Sequence, residues 1–129
     1  MFRVSLFLVL MCGAGGCSNP TPAQQVRQIC DNLAASPNYC STACATARGA
    51  LGICPDESGA VIAHAESTPF SDCTSACLFG RTCTVGGGTQ QMYDCACFSR
   101  CVEARSNDFQ MVFSTYMRCV ERDIASVCY

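Results

Sequence analysis

Ser71-Asp72-Cys73-Thr74-Ser75-Ala76-Cys77 and Cys95-Ala96-Cys97-Phe98-Ser99-Arg100-Cys101 are the two stretches whose reading decides the fold. Each holds a Cys-x-x-x-Cys pair, and the i, i+4 interval places both sulfurs on one face of a helix, where they bridge to a neighbouring helix rather than to each other. Between them, residues 82–91 contain Gly86-Gly87-Gly88 and read as a turn. Folded antiparallel about that turn, the two helices bring Cys73 to Cys101 and Cys77 to Cys97. Cys83 and Cys95 are then left to close a third rung near the turn.

This nested pattern resembles the disulfide ladder of the plant α-hairpinin peptides over residues 73–101. The resemblance implies a pair of bridged antiparallel helices. The antimicrobial or inhibitory activity of those peptides is not carried over, because the connecting segment here is long.

Outward from this hairpin the cysteines dominate: the 129 residues include 14 of them, a frequency that belongs to disulfide-stapled scaffolds of an oxidising compartment. Cys12 falls in the leader and Cys17 at its end. The remaining cysteines are even in number, as a full set of bridges requires. Cys30, Cys40, Cys44, Cys54, Cys119 and Cys128 are expected to form a second set whose pairing the sequence leaves open, since six cysteines allow fifteen connectivities. Cys30-x9-Cys40 and Cys44-x9-Cys54 are similar to the twin-x9 hairpins of the mitochondrial intermembrane space, but Pro37 interrupts the first interval and Gly49 with Gly52 the second. That reading is set aside.

Arg3 followed by the apolar run 4–11 reads as a signal peptide over 1–16; so short a run cannot span a bilayer, which takes about 20 residues. Ala14-Gly15-Gly16-Cys17 resembles the lipobox of bacterial lipoproteins, with Ala14 where that motif usually has Leu. The resemblance implies that Cys17 carries diacylglycerol and becomes the N-terminus, so that residues 17–24 are a lipid-attachment site and tether and residues 25–129 a cysteine-rich helical domain. A cut after Gly16 or Ala23 would instead release a plainly secreted cysteine-rich effector or inhibitor.

Periodicity predicts helices over about 23–35, 39–51, 68–81, 90–105 and from about 108 to 127. The last has the clearest apolar stripe, through Phe109, Val112, Phe113, Tyr116, Val120, Ile124 and Val127. Residues 55–69 read as a loop or one short helix. No strand alternation of any length is visible, so the expected fold is all-α, a small disulfide-stapled bundle of about five helices.

Charge and motif content restrict the chemistry. The formal net charge is −2 and every basic residue is Arg; the arginines are scattered, which leaves no basic field for nucleic acid. No catalytic, nucleotide or dinucleotide signature is present. His64, the one histidine, lies between Glu57 and Glu66 without a patterned partner, and Asp56 and Glu57 read as solvated loop carboxylates. Cys95-Ala96-Cys97 has the spacing of a strained redox pair, but bonds elsewhere in the ladder are the expectation. Cysteines at i, i+4 on several helices are also similar to bacterial copper storage proteins, which implies Cu(I)-thiolate binding as an alternative; the irregular gaps break any continuous ligand stripe. The resulting expectation is a non-catalytic binding or structural module of the cell envelope, without cofactor, lipid-anchored through Cys17 and engaging an envelope or extracellular protein.

Overall fold

The computed structural model describes residues 20–50, 52–85 and 87–129. Residues 1–19, which hold the expected signal peptide, Cys17 and the start of the expected tether, lie outside the described residues. Helix α1 (Pro22–Ala35) starts where Thr21 and Gln24 cap each other's backbone reciprocally, with Pro22 in the first turn. Its apolar face, Ala23, Val26, Ile29 and Leu33, is buried. Helix α2 (Thr42–Arg48) is capped by the Ser41 hydroxyl.

The segment expected to be loop or one short helix contains helix α3 (Pro55–Ala63) and the entry to helix α4 (Ser67–Ser75). Pro55 in the first turn and Asp56 and Glu57 beside the free N–H groups explain why α3 forms here. Cys54 precedes it in the left-handed region at φ 46°, a conformation that costs a non-glycine residue energy. Helix α4 ends at Ser75 rather than near Arg81, because the chain then enters the main correction to an all-α fold. Strands β1 (Thr82–Val85) and β2 (Gly88–Gln91) pair antiparallel, with Val85 opposite Gly88 and Thr82 opposite Gln91. The β-branched residues Thr82, Thr84 and Val85 favour extended backbone, and Gly87 turns the chain at φ 82°.

Helix α5 (Cys95–Glu103) begins only after the hairpin, with the Asp94 carboxylate on the Cys97 N–H at 2.9 Å. Helix α6 (Asn107–Cys128), 22 residues long, is capped by Ser106. The described residues thus hold six helices and one two-stranded sheet.

Helix α6 is the element on which the others pack: α1, α2 and α3 all lie against it, and α5 joins α1 to α4. Two buried clusters result. One gathers Phe70, Phe98, Val102, Phe109 and Phe113 with Ala23 and Val26 from α1. The other gathers Ile29, Leu33, Cys44, Ile124 and Cys128 around the far end of α6. Arg81, at the base of the hairpin, donates at 2.9 Å to the carbonyl of Ala34, one of the last carbonyls of α1, where a cation is favoured.

Cys73 is bonded to Cys101 and Cys77 to Cys97. The third rung expected between Cys83 and Cys95 does not form: Cys83 is bonded to Cys40 and Cys95 to Cys30. In β1 the Cys83 side chain points inward, toward the segment between α1 and α2, and Cys95 opens α5 where that helix crosses α1. Of the second set, Cys44–Cys128 and Cys54–Cys119 pair among themselves, whereas Cys30 and Cys40 do not. All twelve described cysteines are bridged, a state that belongs to an oxidising, extracytoplasmic setting. No helix among the described residues is long and apolar enough to cross a membrane.

Candidate functional site

Helices α3, α4, α5 and α6 border an open groove of about 590 Å³. Its floor is aromatic: Phe70 from α4, Phe98 from α5 and Phe113 and Tyr116 from α6. Phe70 and Phe113 lie 4.6 Å apart by ring centroids, and Tyr93 reaches across to Phe98 at 5.1 Å. Such offset and tilted rings hold one another in place, so the floor is rigid and preformed. Met117 adds a polarisable, adaptable wall.

The rim is asymmetric. On the α3 side it is apolar, with Val61 and with Ile62, which is 73% exposed. On the α4 side it is polar, with Ser67, Thr68, Ser71 and Asp72 at one edge. A mostly apolar concavity of several hundred Å³ with polar groups along one edge has the composition of a small-molecule site. Helix periodicity explains the arrangement: residues 67, 68, 71 and 72 fall on one face of α4, and Phe70 points the other way into the core.

A second cluster lies where α3 gives way to α4. The Nδ1 of His64 accepts the backbone N–H of Glu66 at 3.1 Å, and its Nε2 faces the Asp108 carboxylate at 2.8 Å. The ring meets Phe109 edge-on at 5.1 Å, so it also closes the end of the aromatic cluster. Glu66 accepts from both the hydroxyl and the backbone N–H of Ser106. Those two bonds hold the Glu66 carboxyl below the usual glutamate range against the opposing effect of desolvation, and the nearby His64 and Arg105 add smaller contributions in the same direction as the bonds.

Ser106, His64 and Asp108 are residue types found in nucleophilic triads, but the connectivity differs. The serine hydroxyl engages Glu66 instead of the imidazole, and it also caps the Phe109 N–H of α6. The cluster therefore ties the start of α6 to the α3–α4 junction; the group at the hydroxyl is the Glu66 carboxylate, a weak base, and the imidazole is turned to Asp108 instead.

The other sequence candidates disperse. Asp56 and Glu57 sit in the first turn of α3. Cys95 and Cys97 bond to different partners, Cys30 and Cys77. Cys54, Cys119 and Asp123 bring donor atoms within 4.8 Å, but the two sulfurs are joined to each other and offer no thiolate. The same holds for the Cu(I)-thiolate alternative, because every described cysteine is bridged.

The groove was missed from sequence because its lining comes from four elements that only tertiary packing brings together. One signal was present, the run of aromatics at helical spacing Phe109, Phe113 and Tyr116, but that pattern marks a core stripe equally well. No protein-family model, curated protein or solved structure matches the chain.

Proposed function

We propose that this chain is an exported, non-catalytic binding module of the cell envelope, tethered by a lipid on Cys17, whose ligand seat is the groove between α3, α4, α5 and α6. The observation that carries this reading is the preformed aromatic floor beneath a rim that is apolar on one side and polar on the other. The complete bridging of the described cysteines supports export. The use of Ser106 to cap α6, and of His64 to hold the Glu66 N–H and the Asp108 carboxylate, supports binding over catalysis.

The groove fits an apolar or aromatic body with a cationic end seated toward Asp72. Naphthylmethylammonium and naphthalene sulfonate, similar in size and opposite in charge, test this by fluorescence titration. The ammonium is expected to bind saturably and more tightly, and Asp72→Asn to remove that preference. Ile62→Glu, at an exposed position that leaves the core untouched, is expected to weaken binding of both. Absence of saturable binding, or binding indifferent to both substitutions, overturns the assignment of the groove. The anchor is tested separately, by mass spectrometry of the N-terminal peptide: an acylated Cys17 supports it and a free N-terminus downstream refutes it.

A further inference from the structure

Cys73 is the one exposed residue among the twelve bridged cysteines; its partner Cys101 is 2% exposed and Cys77 is fully buried. The Cys77 and Cys101 sulfurs belong to different bridges, yet they lie 3.7 Å apart. That is van der Waals contact between sulfurs, within reach of attack once one of them becomes a thiolate. We infer that these two bridges form a thiol-exchange relay, in which an external thiol enters at Cys73 and the reduced end appears at Cys97.

The steps balance. An external thiolate attacks the Cys73 sulfur, forming a mixed disulfide and expelling Cys101 as a thiolate. That thiolate attacks the Cys77 sulfur, forming Cys77–Cys101 and expelling Cys97, which takes a proton from water. A second external thiolate then attacks the external sulfur held on Cys73, releasing a small-molecule disulfide and leaving Cys73 as a thiol after protonation. Two external thiols have been oxidised to one disulfide, and the protein has gained two electrons and two protons.

Burial gives the transfer its direction. A thiolate at Cys101 sits in the apolar core, in the last turn of α5 where the helix carbonyls repel an anion. Cys97 is only half-buried and occupies the first turn of the same helix, where free N–H groups favour an anion, although the capping Asp94 carboxylate offsets part of that gain. After the transfer the remaining bridge joins the two buried cysteines of these four, and both thiols are on the periphery of the core. Exchange elsewhere is obstructed, since each of the other bridges has both cysteines buried or half-buried.

The intact protein, with a limiting amount of reduced glutathione, tests the relay. The reaction is stopped with acid, free thiols are alkylated with N-ethylmaleimide, and the remaining bridges are mapped from an acid-stable digest. Expected are label or glutathione on Cys73, label on Cys97 in large excess over Cys101, and a Cys77–Cys101 bridge. Label on Cys73 and Cys101 with Cys77–Cys97 intact overturns the relay, as does first reduction at any other bridge. Since the readout is the position of the label in the unsubstituted chain, it is independent of whether the groove binds ligand.

Discussion

A single methyl group at Gly80 should destabilise the protein by about 3 kcal/mol. The β-carbon of an alanine there would lie 2.6 Å from the Tyr93 carbonyl oxygen, 2.8 Å from its carbon and 3.0 Å from the Met92 oxygen. All three are backbone atoms, so no side chain can rotate out of the way. The two segments are also bound together, by Gly80 N–H to the Met92 carbonyl at 2.9 Å and by Asp94 N–H to the Cys77 carbonyl at 2.8 Å. Cys77–Cys97 and Cys40–Cys83 hold the same region on either side. Relief therefore requires prying the segments apart, which loses one or two backbone hydrogen bonds at about 0.5–1.5 kcal/mol each. Overpacking adds about 1–3 kcal/mol.

The matched control is Gly59→Ala. Gly59 lies exposed in α3 with nothing within 4 Å of the added carbon, so the same methyl should stabilise by about 0.5–1 kcal/mol through the lost flexibility of glycine in a helix. Urea unfolding under non-reducing conditions, followed by far-UV circular dichroism, measures both. On the usual scaling Gly80→Ala lowers Tm by about 12 °C or more. Exchange of the Asp94 amide should accelerate in that variant and stay unchanged in the control. A Gly80→Ala protein within about 0.5 kcal/mol of the parent would refute the close approach of the two segments, and a destabilised Gly59→Ala protein would refute α3.

Replacing both Cys44 and Cys128 with alanine should cost less than the 84-residue separation of that bridge suggests. The chain still runs from Cys44 to Cys54, across to Cys119 and on to Cys128, so the deleted bridge closes a loop of only about 20 residues and contributes roughly 3 kcal/mol of chain entropy instead of the ~4.6 of an isolated loop. Urea unfolding checks it, with an added packing loss of about 1 kcal/mol for the buried sulfurs. Glu66→Gln should show a pH-dependent deficit. Because the folded carboxyl titrates below its unfolded value, its contribution is complete above the ordinary glutamate range near pH ~4.3 and fades as pH falls through the lower, folded value. The difference in stability between parent and variant should accordingly shrink with acidification, and a difference that grows would contradict the hydrogen bonds from Ser106.

The long amphipathic stripe of α6 was legible because Phe109, Phe113 and Ile124 repeat at helical spacing and all are buried. The capped start of α5 was harder to see. Gln90 and Gln91 are good helix formers and favoured an early start, whereas pairing with β1 holds them in a strand. Four-residue strands are too short to show alternation, and the β-branched run at 82–85 was overshadowed by the glycines beside it. The Cys83–Cys95 rung failed for the same reason: once 82–91 is a hairpin, its base faces the α1–α2 connection, and Cys83 meets Cys40 there. Of the groove, the sequence disclosed the individual aromatics but not their convergence, which depends on contacts between elements far apart in the chain.

The pattern of bridges also governs how this protein can be made. Ordered along the chain, no two neighbouring cysteines among the described twelve are partners. During synthesis Cys30, Cys40, Cys44 and Cys54 all emerge well before the residues they must join, so an oxidase acting on cysteines as they appear would make only wrong pairs. Maturation then depends on reshuffling after the last helix has emerged, and the yield of native protein should be limited by isomerisation more than by oxidation.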